Sequence, residues 1–167
     1  MEGLMYKRIL VPLENTPYDE AILQHVRDLA KLCGASVVLI HVADGWVARN
    51  VTQLSLRESE EIRKDREYLE TICEELTRDG IDVDSVLAGG EPAREIVSAA
   101  ARESCDLIAM STHGHRFVKD ILYGSVANDV RHATTVPVLL VRGGPVLDPE
   151  VQARRASGPR RVTEEGT

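Results

Sequence analysis

Five short apolar runs separated by stretches whose apolar residues recur at helical spacing constrain this chain more than any other feature. The first run, Arg8-Ile9-Leu10-Val11-Pro12, is apolar on both faces, as a parallel strand covered by helices on either side must be. Thr16-Pro17-Tyr18-Asp19 then reads as an N-cap, a proline at the first helical position and a first-turn carboxylate. Ile22, Val26, Leu29, Ala30 and Cys33 stripe the helix that follows, and Gly34 stops it. The second strand is Ser36 to Ala43, after which periodicity lapses from Asp44 to about Ser55. Ile62, Leu69, Ile72, Cys73 and Leu76 mark a long, otherwise charged helix that ends at Gly80. Ile81 to Ala88 is the third strand, and Gly89-Gly90-Glu91-Pro92 turns into a helix striped by Ile96, Val97, Ala100 and Ala101. Asp106 to Met110 is the fourth strand. A polar stretch, Ser111 to Lys119, leads to a helix from about Ser125 to Ala133 and a fifth strand, Val136 to Val141.

Right-handed crossovers turn this alternation into an α/β fold: an open doubly wound five-stranded parallel sheet with helices on both faces, Rossmann-like. Such sheets take ligands beyond the carboxyl ends of their strands, where strand order reverses. Residues 1–143 are expected to form the domain, because from Gly143 onward no apolar period remains. Arg154-Arg155, Gly158-Pro159 and Arg160-Arg161 lie among small and acidic residues, and 144–167 read as a mobile C-terminal tail. With 20 Lys and Arg against 27 Asp and Glu the net charge is -7, which disfavours a nucleic-acid backbone or an anionic membrane as partner. No apolar run approaches the ~20 residues that span a bilayer, and the start lacks an apolar signal core, so a cytoplasmic protein is expected. Cys33, Cys73 and Cys105 are odd in number and widely spaced, which suits reduced structural thiols rather than a disulfide set or a zinc cluster.

The most informative segment is Met110-Ser111-Thr112-His113-Gly114, then nine residues, then Gly124-Ser125-Val126-Ala127. Gly114 permits a close backbone approach, and Gly124-Ser125 opens a helix whose free N–H groups and positive dipole end suit an anion. A phosphate chain fits between them, with Met110 towards a base or sugar; equally, Gly114 could simply turn the chain and Ser125 simply cap the helix. Glu14 stands at the carboxyl end of the first strand, where it could accept ribose hydroxyls, hold a metal, or be a solvated loop charge. If the loops after strands one and four share one ligand, those strands are neighbours and the order is 3-2-1-4-5. His113-Gly114-His115 offers two imidazoles without an identifiable third ligand, so no metal site built from protein side chains is expected. His115, with Arg116 and Lys119, either screens phosphate charge or solvates a loop. His25 and His41 fall on helix and strand patterns as core or boundary histidines, and no catalytic constellation is evident.

Over residues 6 to about 142 the chain resembles a single-domain universal stress protein. The resemblance rests on Ile9 to Pro12, Leu39-Ile40-His41-Val42, Gly90-Glu91-Pro92, Asp106 to Gly114, Gly124 to Ala127 and Val136 to Val141. The family's ATP-binding branch carries G-x2-G-x9-G-(S/T), matched at Gly114, the nine-residue spacer, Gly124 and Ser125, with Ser111 in place of the first glycine. The resemblance implies Pro12, Leu13 and Glu14 on the ribose and base side and Val42 at adenine. It places Met110, Ser111 and Gly114, together with Gly124, Ser125, Val126 and Ala127, around the phosphates. Glu14 replaces the family's usual Asp, which shifts the carboxylate by a methylene.

The expected function is that of a regulatory ATP-binding module in stress response, with Mg brought by the phosphates. The alternatives are a slow ATPase and a domain that binds no nucleotide and acts through protein contacts. The family also implies a homodimer, and the apolar, terminal fifth strand, Val136 to Val141, offers the edge for one.

Overall fold

The computed structural model describes residues 5–44, 60–113 and 122–143. Within them the chain runs β1 (Arg8–Pro12), α1 (Asp19–Cys33), β2 (Ser36–Asp44), α2 (Glu60–Arg78), β3 (Val83–Gly90), α3 (Pro92–Arg102), β4 (Leu107–His113), α4 (Leu122–Ala133) and β5 (Val138–Gly143). All strand pairs are parallel and the order is β3-β2-β1-β4-β5, as expected from placing strands one and four side by side.

Alternation along each strand divides the core in two. Ile9, Val11, Val37, Leu39, Leu107 and Ala109 face Ile22 and Val26 of α1 and Leu69 and Leu76 of α2. Leu10, Val38, Ile40, Ile108 and Met110 face Ile96, Ala99 and Ala100 of α3 and Ala127 and Val130 of α4. Each fully buried Leu or Ile contributes about 1.5–3 kcal/mol relative to an exposed one, so the two layers are the main source of stability.

Several boundaries depart from the sequence reading. β4 continues three residues beyond Met110, because Ser111, Thr112 and His113 pair with Val141, Arg142 and Gly143 of β5. Ser111 and Thr112 therefore belong to the sheet and not to a loop. α4 begins at Leu122, so Gly124 and Ser125 lie within its first turns instead of opening it. α1 begins at Asp19, and the N-cap position is held by Tyr18, whose side chain makes no cap bond. Thr16 enters the preceding turn through its carbonyl, which accepts the Asp19 N–H at 3.0 Å. α3 is capped by Glu91, whose carboxylate accepts from the N–H groups of Ala93 (3.0 Å) and Arg94 (2.8 Å).

At the amino ends of the strands Arg8 pairs with Asp84 and Glu103, and the Asp106 carboxylate accepts the main-chain N–H groups of Lys7 and Arg8. A depression of about 470 Å³ near Lys7, Lys31 and Asp82 lies at this end, away from the strand tips. The three cysteines are free thiols, and burial pushes the Cys105 thiol up to about 11, consistent with a structural role. No helix among the described residues is long and apolar enough to cross a membrane.

Candidate functional site

Strand order reverses between β1 and β4, so the carboxyl ends of β1, β2 and β4 surround the switch point of the sheet. The loop after β1 is organised by one buried carboxylate. Asp19, 2% exposed, accepts the N–H groups of Glu14 (3.1 Å), Asn15 (2.8 Å) and Thr16 (3.2 Å), together with the Tyr68 hydroxyl of α2 at 2.8 Å. Three successive amides can turn towards one carboxylate because Asn15 adopts a left-handed conformation (φ 60°), which Asn tolerates better than most residues. Burial, followed by the charge of Asp19, drives the Tyr68 phenol far above its ordinary range, so it remains a hydrogen-bond donor.

A second set of contacts fastens the same loop to β2 and α2. Leu13 donates its N–H to the Ile40 carbonyl at 2.8 Å, and its own carbonyl lies 2.9 Å from His41 Nδ1. His41 Nε2 is 3.1 Å from Asp65 Oδ2, while Asp65 Oδ1 accepts the Asn15 side-chain amide at 3.0 Å. His41 is thus a satisfied boundary histidine, whereas His25 lies exposed on α1.

The expected site residues divide by face. Val42, Met110, Val126 and Ala127 gather on the α3/α4 side, and strand alternation turns Pro12 the same way. Leu13 packs instead in the α1/α2 core, and the Ser111 hydroxyl donates to the Tyr18 carbonyl at 3.4 Å on that opposite side. Ser111 lies on β4, outside the positive-φ residues, so serine here carries none of the backbone penalty that a glycine position would impose. Gly124 is the third residue of α4, and its N–H is the last without an acceptor inside the helix. From Ser125 onward the amides join the helical ladder, which leaves Val126 and Ala127 to contribute packing. Glu14 is half-buried, with its N–H held by Asp19. Gly114, His115 and the tail 144–167 lie outside the described residues.

The anion geometry follows from these positions. Amides after β1 could in principle cradle a phosphate, but Asp19 already occupies them. The first amides of α4 have no acceptor inside their own helix, and they lie at the positive end of its dipole on the face of the sheet that holds Val42 and Met110.

The sequence reading missed Asp19 as a loop organiser, and it missed Asp65, Tyr68 and Asn15 altogether. One signal was present: Asp65 sits on the apolar stripe of its helix between Ile62 and Leu69, where a charge has to be paired.

Close packing at the Ser111 strand also yields a prediction. A Cβ on Gly143 would lie 2.6 Å from Ser111 Oγ and 3.1 Å from the Tyr18 carbonyl oxygen. Gly143→Ala is expected to lower stability by about 1–3 kcal/mol, as overpacking does. Ser111→Gly in the same chain should restore only part of the loss, because the Tyr18 contact persists. Urea unfolding of the single and double variants checks this; equal stability of Gly143→Ala and the parent would contradict the packing.

A five-stranded parallel sheet with helices on both faces, its order reversing between β1 and β4, defines a doubly wound α/β domain. The universal stress protein family profile matches residues 5–142, and the chain belongs to that family. It is 31% identical over 157 residues to universal stress protein MJ0577 of Methanocaldococcus jannaschii, covering 84% of this chain and 97% of that protein. Identity is 32% over 145 residues to a universal stress protein of Methanothermobacter thermautotrophicus, covering 83% and 97% of the two chains. The MJ0577 structure superposes with a TM-score of 0.72 at 32% identity, covering 85% of this chain and 99% of that one. A universal stress protein of Archaeoglobus fulgidus, solved in complex with dAMP, shares the fold at a TM-score of 0.60 and 23% identity, covering 82% and 98%.

Proposed function

We propose that this chain is an ATP-binding regulatory module, with the adenine and ribose at the tips of β1 and β2 and the phosphates at the amino end of α4. The observation that carries this reading is that Asp19 fills the amide cradle after β1 while the first amides of α4, across the switch point, have no acceptor inside their own helix. Val42 and Met110 supply an aliphatic wall suited to a base, and Glu14 lies at the ribose side. The dAMP complex of the Archaeoglobus protein adds support at the level of the shared fold. Magnesium would arrive with the phosphates, which bind it through their own oxygens. The role is binding and signalling, with turnover far below the roughly 1–1,000 per second of ordinary enzymes. Calorimetric titration with ATP should show one site per chain with a micromolar dissociation constant, about 8 kcal/mol. A flat titration up to millimolar ATP would overturn the reading in favour of a module that acts through protein contacts alone.

A homodimer in the cytoplasm completes the proposal. Among the described residues β5 is an edge strand, and its Leu140 is 45% exposed, which suits pairing with a second copy. Sedimentation equilibrium at micromolar concentration should give twice the chain mass of 18.4 kDa; a single-chain mass would refute the dimer.

A further inference from the structure

Helix α2 contributes none of the residues that the nucleotide reading uses, yet its Asp65 bonds Asn15 in the loop that carries Glu14 and its Tyr68 bonds Asp19, which holds that loop. The His41 ring spans the gap from α2 to the main chain of that loop. A carbonyl only accepts, so Nδ1 carries the proton of its 2.9 Å bond to Leu13, and the other nitrogen faces Asp65 at 3.1 Å. The two side chains are equally buried, each 12% exposed, which shields their contact from competing water. With its N–H on Ile40 and its carbonyl on His41, Leu13 is gripped from both sides, and Asn15, one residue beyond Glu14, is tied to the same Asp65.

We infer that His41 and Asp65 are positioning residues that fix the Leu13–Asn15 segment, and with it the Glu14 carboxylate, for the ribose, thereby coupling α2 to nucleotide occupancy. The inference rests on the nucleotide reading above. Energetic coupling between two places is reciprocal, so whatever displaces α2 weakens the nucleotide by the factor with which the nucleotide holds α2 in place. The helix thus serves as the element through which an occupied site would be sensed at the surface.

Three variants test this: His41→Gln, which reaches towards Asp65 but loses the Leu13 bond; His41→Asn, whose amide can replace Nδ1 at Leu13; and Asp65→Asn. Two probes are titrated, ATP and inorganic tripolyphosphate, while amide hydrogen exchange is followed at Glu14, Asn15 and Thr16. His41→Gln and Asp65→Asn should weaken ATP about tenfold, leave tripolyphosphate unchanged and speed exchange of the three amides. His41→Asn should stay within about threefold of the parent for ATP. Equal weakening of both probes would mark general damage and overturn the inference, as would unchanged ATP affinity in His41→Gln. Should the parent chain take up neither probe, the nucleotide reading and this coupling fall together, and exchange alone decides the narrower point of whether His41 holds the loop: faster exchange in His41→Gln upholds it and unchanged exchange refutes it.

Discussion

Asp19→Ala should destabilise the domain by about 3–5 kcal/mol, the range expected when one partner of a buried charged network is removed. The main-chain N–H groups of Glu14, Asn15 and Thr16 and the Tyr68 hydroxyl would all lose their acceptor in a place that water scarcely reaches. For a domain near this size each kcal/mol moves the melting temperature by about 2–4 °C, so a fall of about 10 °C is expected. Tyr68→Phe removes a single bond and should cost about 1–2 kcal/mol. The two changes share a partner, so the double variant should lose less than their sum.

Tyr68 also predicts a dependence on pH. Its folded-state value is raised above that of the unfolded chain, so the stability it contributes is complete below about pH 10 and is lost as pH rises further. Melting temperature measured from pH 8 to 11 should therefore fall more steeply in the parent than in Tyr68→Phe. Parallel curves would show that the phenol is not held by Asp19 as described. A melting temperature of Asp19→Ala within 2 °C of the parent would likewise contradict the loop's architecture.

Gly124→Glu is expected to weaken ATP by about 100-fold, ~2.7 kcal/mol, without loss of stability. The third position of a helix is one where Glu is favoured, because its carboxylate interacts with the free amides and the positive end of the dipole. The same carboxylate would occupy the place proposed for the phosphates and repel them. Calorimetry paired with thermal melting separates the two effects. Unchanged ATP affinity in a stable Gly124→Glu protein would remove α4 from the site.

Most of the fold was legible because a doubly covered strand and an amphipathic helix leave distinct periods, and Arg8–Pro12 coincides with β1 at both ends. The strand order also followed from reading the tips of strands one and four as sharing a ligand, an argument about function that constrained topology. The errors have a common physical origin. Ser111 to His113 look like loop residues because they are polar, yet they lie at the end of β4, where pairing with β5 satisfies the backbone whatever the side chains. Thr16 resembles an N-cap by residue type, but Asp19 turns back on the loop and captures its amides.

Within the site, the aliphatic members were easier to place than the polar ones. Val42, Met110 and Ala127 share one face because strand and helix periods determine which way they point. The carboxylates and their partners are brought together by folding from the loop after β1 and from α1, β2 and α2, and the 50-residue separation of Asn15 from Asp65 leaves no local trace in sequence. Only the misplaced charge on the α2 stripe pointed to it.

The measurement that bears most directly on the central claim is a crystal structure of the chain grown with millimolar ATP and magnesium. The account predicts phosphate density against the main chain at Gly124 and the base beside Val42 and Met110, with the Asp19 carboxylate still holding the amides of Glu14, Asn15 and Thr16. Phosphates seated on those three amides with Asp19 displaced, or no nucleotide density at the strand tips, would contradict it.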